Sequence, residues 1–347
     1  MKKKVLFILA TNKYSGAENV AITIINNMND KYEFAYSSPD GEIKKQLTDN
    51  NIKFIPMKKL SLSEVNKVIK KYNPDIIHAN DFRASFLSSL VKGNRKLVTH
   101  IHNNVPWLGK KGINSRIFLY TAKHSEKVLI VSESIRNEFI YSNRLKDKFS
   151  CVNNPVYRSK ILNAVDNYDK EFDICCVARV SSPKNPFRFL EVIKNVKNVI
   201  DNINVIWVGG IDETIKTDLE KMIDKYNLSN NVSFIGFDKN PFKFMAKSKI
   251  FLLTSDWEGY GLVAFEALTL GLPSIVSKVG GLVNIVDDKC GKLCDKSDTS
   301  EYSNEIIKLL TDNNYYQKKS KEAIVKSKKL ENIESYCKKL DNLYKTL

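Results

Sequence analysis

Lys249-Ile250-Phe251-Leu252-Leu253-Thr254-Ser255-Asp256-Trp257-Glu258-Gly259-Tyr260-Gly261-Leu262-Val263-Ala264-Phe265-Glu266-Ala267 changes character twice along its length. Lys249–Leu253 is a short apolar run of strand length. Thr254 to Gly259 is polar or glycine, and Tyr260–Leu270 is apolar with helical spacing. Gly271-Leu272 then leads into a second short apolar run, Pro273–Val276. Near-continuous apolar strands joined through a helix belong to a parallel sheet covered on both faces. The same alternation fills the chain. Further strands are expected at Val5–Ala10, Tyr32–Ser37, Lys53–Met57, Asp75–Ala79, Lys96–Ile101, Lys127–Val131, Phe149–Val152, Asp173–Ala178, Asn204–Val208 and Val232–Ile235. About a dozen strands exceed one ordinary doubly wound sheet, so the fold class is α/β with two Rossmann-like doubly wound domains. An N-terminal domain is expected over 1–155, a polar connector over 156–172 and a second domain over 173–325. A Lys-rich helical tail follows, Glu301–Leu310 and Asn314–Leu347, whose last part, 326–347, is expected to pack back toward the N-terminal domain.

The 347 residues are 43% hydrophobic, enough for sizeable cores and unlike a disordered chain. The formal charge of +16 is unevenly spread. Residues 1–150 hold 26 Lys/Arg against 13 Asp/Glu, whereas 151–347 hold 29 against 26. The N-terminal half is therefore suited to an anionic partner: nucleic acid, an acidic membrane surface or an acidic soluble molecule. The six cysteines are scattered, as free thiols in a reducing cytosol would be, and Cys290-x3-Cys294 lacks the second ligand pair that zinc needs. Val5–Ala10 is too short for a signal peptide core, and nothing approaches the roughly 20 apolar residues of a membrane span. A cytoplasmic location is expected, with any membrane contact peripheral.

Ligands of open α/β sheets bind beyond the carboxyl ends of strands, so the turns there are the candidate sites. The turn of the opening stretch is the most specific. Glu266 lies more than a turn into an otherwise apolar helix, where a carboxylate is costly unless it meets donors. Paired ribose hydroxyls are natural donors for it. Glu258 and the amides of the turn, Gly259, Tyr260, Gly261 and Leu262, can address sugar hydroxyls beside phosphates. A helix-internal Glu bonded to a neighbour is the structural alternative. In Val177-Ala178-Arg179-Val180-Ser181-Ser182-Pro183-Lys184-Asn185-Pro186, two cations, Arg179 and Lys184, flank a loop that ends at a helix start, which suits a diphosphate. Uninvolved loop cations are the alternative. Thr11-Asn12-Lys13-Tyr14-Ser15-Gly16-Ala17-Glu18 sets Gly16 at a helix start, where backbone N–H groups can approach an anion; a tight turn is the plainer reading. No G-x-G-x-x-G is present, which disfavours a nicotinamide or flavin enzyme. In Thr99-His100-Ile101-His102-Asn103-Asn104, the two histidines share a strand face. Without a third ligand nearby a metal pair is disfavoured, and a single His at a substrate fits better. His100 and His78 read as structural and His124 as a helix-end residue.

Taken together, in their order and spacing, these elements resemble glycosyltransferase family 4, with its GT-B architecture. The resemblance covers nearly the whole chain: Ser15-Gly16-Ala17-Glu18, Pro74-Asp75-Ile76-Ile77-His78-Ala79, the His102 strand end, Arg179 with Lys184, Gly236 after Phe234-Ile235, Glu258-x7-Glu266, and Gly271-Leu272-Pro273 leading to Gly280-Gly281. It implies two domains facing a cleft, the C-terminal one binding a nucleotide sugar and the N-terminal one an acceptor, with no metal ion or other cofactor. It also implies retention of anomeric configuration. Carried over, Arg179 and Lys184 stabilise the diphosphate leaving group and Gly16 approaches phosphate or sugar. Glu266 holds the ribose, Glu258 the donor sugar, and His102 lies near the reacting centre. Three positions depart from the family pattern: Asn284 where a Glu often follows the Gly-Gly element, Asn103 where an Asp commonly follows the His, and Asn80 where a second His is usual. The implied donor is a UDP-sugar ahead of GDP-mannose. The acceptor is a saccharide or lipid-linked saccharide of capsule, exopolysaccharide or lipopolysaccharide synthesis. The basic N-terminal half would then meet the inner face of the plasma membrane. A nucleotide-sugar epimerase of similar architecture would not need the Arg179/Lys184 and Glu258/Glu266 combination. A nucleic-acid-binding protein lacks any recognisable motif here, so no nucleic-acid partner is expected.

Overall fold

The computed structural model describes residues 2–145, 147–166 and 168–347; Met1, Lys146 and Asn167, which the expected domain and connector spans include, lie outside the described residues. The chain divides into two compact units, Met1–Pro155 with Asn332–Leu347, and Val156–Glu331.

The first unit is built on β1 (Lys4–Ile8), β2 (Glu33–Ser37), β3 (Ile76–Asn80), β4 (Lys96–Ile101), β5 (Lys127–Ile130) and β6 (Phe149–Cys151), parallel in the order β2-β1-β3-β4-β5-β6. Val5 lies opposite both Phe34 and Ile76, making β1 a central strand. Its Val5, Leu6, Phe7 and Ile8 are fully buried, as a strand covered on both faces requires. One face packs Leu6, Ile8, Ile77 and Leu97 against Val65, Val68 and Ile69 of the helix Leu62–Tyr72.

The second unit is built on β7 (Phe172–Val177), β8 (Val205–Val208), β9 (Val232–Phe234), β10 (Ser248–Leu253), β11 (Ser274–Ser277) and β12 (Gly291–Cys294), parallel in the order β12-β11-β10-β7-β8-β9. Each sheet reverses its strand order beside its first strand, between β1 and β3 and between β7 and β10. Such switch points leave the loops after both strands facing one crevice.

Several elements differ from the sequence expectation. Lys53–Met57 is not a strand; it makes single bridges from Phe54 to Tyr36 of β2 and from Met57 to Pro39 just beyond it. Pro56 between them has no N–H to extend the ladder. β12 is a strand with little apolar content, admitted because Gly291 lets its backbone come close: a Cβ there would lie 1.9 Å from the Ser274 carbonyl oxygen. Short helices also form at Ile43–Asp49 and Leu282–Ile285. Of the expected connector over 156–172, the described residues 156–166 and 168–172 belong to the second unit. They include the helix Arg158–Leu162 with buried Ile161. Asn240 Nδ2 donates to the Ala164 carbonyl (2.8 Å) and Lys170 Nζ to that of Ser248 (2.6 Å).

The second unit also continues beyond 325. The helix Asn313–Leu330 runs unbroken, and the Glu331 carboxylate that follows accepts the Arg158 backbone N–H (2.9 Å) while Arg158 Nε donates to Ser327 Oγ (3.1 Å). The single tail helix expected over Asn314–Leu347 is thus two. The second, Ile333–Thr346, belongs to the first unit, burying Tyr336, Leu340 and Tyr344. Asp341 accepts from Tyr32 Oη (2.8 Å), Tyr344 Oη pairs with His78 Nδ1 (2.6 Å), and Lys3 Nζ donates to the Tyr344 carbonyl (3.0 Å) at the negative end of the helix dipole. Tyr344→Phe leaves the buried His78 Nδ1 unpaired and is expected to destabilise the protein by about 1–3 kcal/mol, measured as a lower urea midpoint with unchanged slope; an unchanged midpoint would show that the bond contributes nothing net.

Candidate functional site

The switch point of the second unit holds most of the candidate residues. β7 ends against the Ala178 carbonyl, which Trp207 Nε1 fixes at 2.7 Å. Gly209 lies so close that a Cβ there would be 1.9 Å from the same oxygen. Arg179 follows, exposed. Asp212, held below the usual carboxylate range by hydrogen bonds from Thr214, also feels the Arg179 charge. The loop closes in a turn at Ser182–Lys184, and Asn185, in the left-handed region at φ 45°, caps the helix Pro186–Lys197 by accepting the Arg188 N–H (2.9 Å).

This loop is stitched to the one after β10. The Asp256 N–H donates to the Pro183 carbonyl (2.9 Å), Thr254 Oγ1 donates to the Asn185 carbonyl (3.1 Å), and Asn185 Nδ2 donates to Asp256 Oδ2 (3.0 Å). Arg188 clamps both, with Nη2 2.7 Å from Asp256 Oδ1 and Nη1 2.9 Å from the Thr254 carbonyl. The result is that Lys184 Nζ and the Glu258 carboxylate form an ion pair, their side chains 22% and 13% exposed. A cation from one loop and an anion from the other are thus brought together in a half-buried position, where charge is screened less than at the surface.

The Glu258–Gly261 turn has a second brace. Gly281 N–H donates to the Gly259 carbonyl (2.8 Å), and the two backbones touch. A Cβ at Gly280 would lie 1.7 Å from the Glu258 carbonyl oxygen, and one at Gly281 2.6 Å from Tyr260 Cα. Gly280 itself is at φ 52°. Gly261, at φ 87°, starts the helix Leu262–Thr269, so Tyr260, buried, remains in the turn. Asn284 lies just beyond this brace, exposed, in the helix Leu282–Ile285. Glu266 sits on the second turn of the helix Leu262–Thr269. Burial pushes its carboxyl up to about 7, against the pull of the Lys160 charge. Lys160 comes from the helix Arg158–Leu162, read from sequence as connector.

In the first unit the switch point lies between the ends of β1 and β3. Gly16 begins the helix Gly16–Met28, exposed; a Cβ there would meet nothing within 4 Å, so the packing of the chain itself does not demand glycine. Two residues on, Glu18 is buried and accepts hydrogen bonds from Thr11 Oγ1 (2.7 Å) and Ser15 Oγ. His102, one residue beyond β4, is buried and its Nε2 is 2.8 Å from Asn80 Oδ1. Burial brings its pKa down to about 4 although the Glu18 charge opposes this, so the ring is neutral at pH 7. Because Asn80 Oδ1 can only accept, Nε2 carries the proton and Nδ1 is a lone pair. Nδ1 is buried beside the Asn154 side chain, which also acts on the ring.

The other histidines follow the sequence reading. His78 and His100 are buried and bonded to each other (Nε2 to Nδ1, 3.1 Å), and His124 closes the end of a helix. Among the described residues no group of three or more His, Cys, Asp or Glu could hold a metal ion. Asp81 is a residue that the sequence reading missed. It stands at φ 63°, accepts the His102 N–H (3.2 Å), and burial raises its carboxyl to about 6. The available signal was the polar pair Asn80-Asp81 at the end of an apolar strand.

Two doubly wound units with ligand-ready loops at both switch points define the GT-B class, and comparison with known proteins agrees. A solved structure of HepE from Anabaena, in complex with UDP and glucose, superposes with a TM-score of 0.87 at 21% identity, covering 99% of this chain and 100% of that one. Residues 14–160 match the family model Glycosyltransferase Family 4, and residues 158–326 match Glycosyl transferases group 1. The chain belongs to these glycosyltransferases, with a family 4 N-terminal domain and a group 1 C-terminal domain. It is 29% identical to a glycosyltransferase of Methanocaldococcus jannaschii over 61% of this chain, and spans 57% of that relative's length. It is 27% identical to the capsular polysaccharide biosynthesis glycosyltransferase CapH of Staphylococcus aureus, over 76% of this chain and 78% of the relative.

The brace on the turn is directly testable. Gly280→Ala forces a Cβ into the Glu258 carbonyl at a positive φ and should cost about 2–4 kcal/mol, seen as a lower denaturation midpoint. A wild-type midpoint would mean that the turn is free to move away.

Proposed function

We propose that this protein transfers a sugar from a nucleotide-diphosphate sugar, a UDP-sugar ahead of GDP-mannose, to a saccharide or lipid-linked saccharide, with retention of anomeric configuration. Capsule, exopolysaccharide or lipopolysaccharide synthesis is the setting, as for the capsular relative. The observation that carries this reading is the half-buried Lys184–Glu258 pair at the switch point of the second unit. An incoming diphosphate competes for Lys184 and releases the Glu258 carboxylate to accept hydrogen bonds from sugar hydroxyls. Glu266 accepts from the ribose hydroxyls. The amides of Gly259, Tyr260, Gly261 and Leu262 line the sugar and phosphate, and Gly16 allows close approach of the same groups.

As the bond from the anomeric carbon to the phosphate oxygen breaks, negative charge grows on the departing diphosphate. Arg179 and Lys184 meet that charge, and they stabilise it more in the transition state than in the ground state. The acceptor hydroxyl oxygen bonds to the anomeric carbon from the same face, and its proton passes to the departing phosphate oxygen. His102, neutral, lies near this centre. These cations supply the positive charge that the leaving group needs, so the reaction is expected to proceed without a metal ion. The protein acts in the cytoplasm, with peripheral attachment to the inner face of the plasma membrane.

UDP is expected to protect the protein from thermal unfolding more than GDP does. Absence of protection by any nucleotide, together with tight binding of random-sequence DNA, would overturn the reading. Lys184→Ala and Arg179→Ala should each slow UDP release from the donor by about 10²–10³-fold with folding intact; near-wild-type rates in both would remove them from the mechanism.

Ribose hydroxyls donate, so they favour ionised Glu266. Nucleotide affinity should therefore rise with pH up to about 7, where the carboxyl titrates, and level off above it. In Glu266→Gln, titration calorimetry should find weaker and pH-independent binding, and a wild-type pH profile in that variant would assign the proton elsewhere.

A further inference from the structure

Three histidines stand side by side in the first unit, among strands that are otherwise mostly apolar. His78 on β3 and His100 on β4 are completely buried, and His102 lies one residue beyond β4. Tyr344, on the helix Ile333–Thr346, is also completely buried and meets His78 Nδ1 at 2.6 Å, while His78 Nε2 is 3.1 Å from His100 Nδ1. The His78 ring lies flat on Phe7, centres 4.5 Å apart. The His100 and His102 rings lie against each other with centres 4.0 Å apart, as two side chains on one strand face can.

The hydrogens of this row can run in two directions. If the Tyr344 hydroxyl donates, His78 accepts on Nδ1 and donates from Nε2 to His100 Nδ1. One group is then left over, the buried His100 Nε2–H. In the opposite direction two are left over among the described residues, the Tyr344 O–H and the His100 Nε2 lone pair. Unmet buried polar groups are costly, so the first direction holds. Apolar side chains would fill the same space with none left over. What the row supplies instead is a fixed ring, because His100 cannot turn without breaking its bond to His78. Against that ring rests His102, which is held otherwise by Asn80 Oδ1 on Nε2 (2.8 Å), by Asp81 on its N–H (3.2 Å) and by the Asn154 side chain.

We propose that Tyr344, His78 and His100 are positioning residues for His102. The hydroxyl on the last helix sets the tautomers of both histidines, and the His100 ring fixed in this way holds the His102 ring at the carboxyl edge of β4. The proposal rests on the transferase reading only in placing His102 near the reacting centre.

The chain has four histidines, so isotope labelling of histidine nitrogens in the full chain resolves each ring by NMR. His78 and His100 are both expected as the Nε2–H tautomer, and an Nδ1–H tautomer in either would overturn the proposal whether or not any variant folds. Tyr344→Phe should release both tautomers and shift the His102 ring signals. It should also lower kcat for UDP release from UDP-glucose by about tenfold or more, with the donor KM within about twofold of wild type. Tyr336→Phe removes another buried hydroxyl of the same helix, one that bonds nothing among the described residues, and should leave the His102 signals and kcat unchanged. His100→Phe keeps a ring against His102 without the bond, and His100→Asn keeps an acceptor without the ring; both should lower kcat as Tyr344→Phe does. Wild-type kcat in His100→Phe would reduce the row to packing and refute the positioning role. So would an equal loss in Tyr336→Phe, or His102 signals that ignore Tyr344→Phe. The spectra need no turnover: a wild type that neither binds UDP nor releases it from UDP-glucose would count against the transferase reading, while the His102 signals still decide whether the row holds that ring.

Discussion

β7 and β10 run side by side in parallel, with Ile174 opposite Ile250 and Cys175 opposite Phe251. All four side chains are fully buried. The register of this pair sets where each strand ends, and so where two loops distant in sequence begin. Everything chemical in the second unit follows from that placement. Arg188 and Asn185 from one loop hold Asp256 and Thr254 of the other, which leaves Lys184 and Glu258 facing each other at the mouth. The Gly280-Gly281 backbone lies against the turn from the far side. The turn is thus held by strand register on one side and by backbone contact on the other, the kind of fixed first turn that lets amides act as preset donors.

The first unit repeats the plan with different contents. At its switch point two carboxylates, the buried Glu18 held by two hydroxyls and Asp81 on the His102 N–H, stand beside a His102 kept uncharged by burial. Positive charge is concentrated on the outer surface. Hydrogen-bonding groups of this kind suit recognition of hydroxyls. The second unit is nearly balanced in charge, with 26 Lys/Arg against 24 Asp/Glu over 156–331.

Much of this was legible in the amino-acid sequence, for physical reasons that differ from element to element. Strands buried on both faces announce themselves as short, mostly apolar runs. β1, β4 and β10 were found within a residue or two of their observed ends. Strand β12 was not, because its pairing depends on backbone approach at Gly291 and not on apolar content. Lys53–Met57 has the composition of a strand, but Pro56 interrupts the hydrogen bonding. At the site, Arg179, Lys184, Glu258 and Glu266 were visible as polar residues at strand ends or inside an apolar helix. Their pairing was not: that Lys184 rests on Glu258, or that Lys160 from a supposed connector tempers Glu266, depends on contacts across the fold. The glycine pair at 280 and 281 could be seen, whereas its cause, two backbones in contact, needed coordinates. Asp81 went unnoticed because one carboxylate after a strand carries no periodic signal.

The most direct test of the account is a crystal structure of the protein with UDP. It should show the diphosphate on Lys184 and Arg179, the Lys184–Glu258 pair opened, and the ribose hydroxyls on Glu266. UDP bound elsewhere, or bound with Lys184 still seated on Glu258, would contradict it.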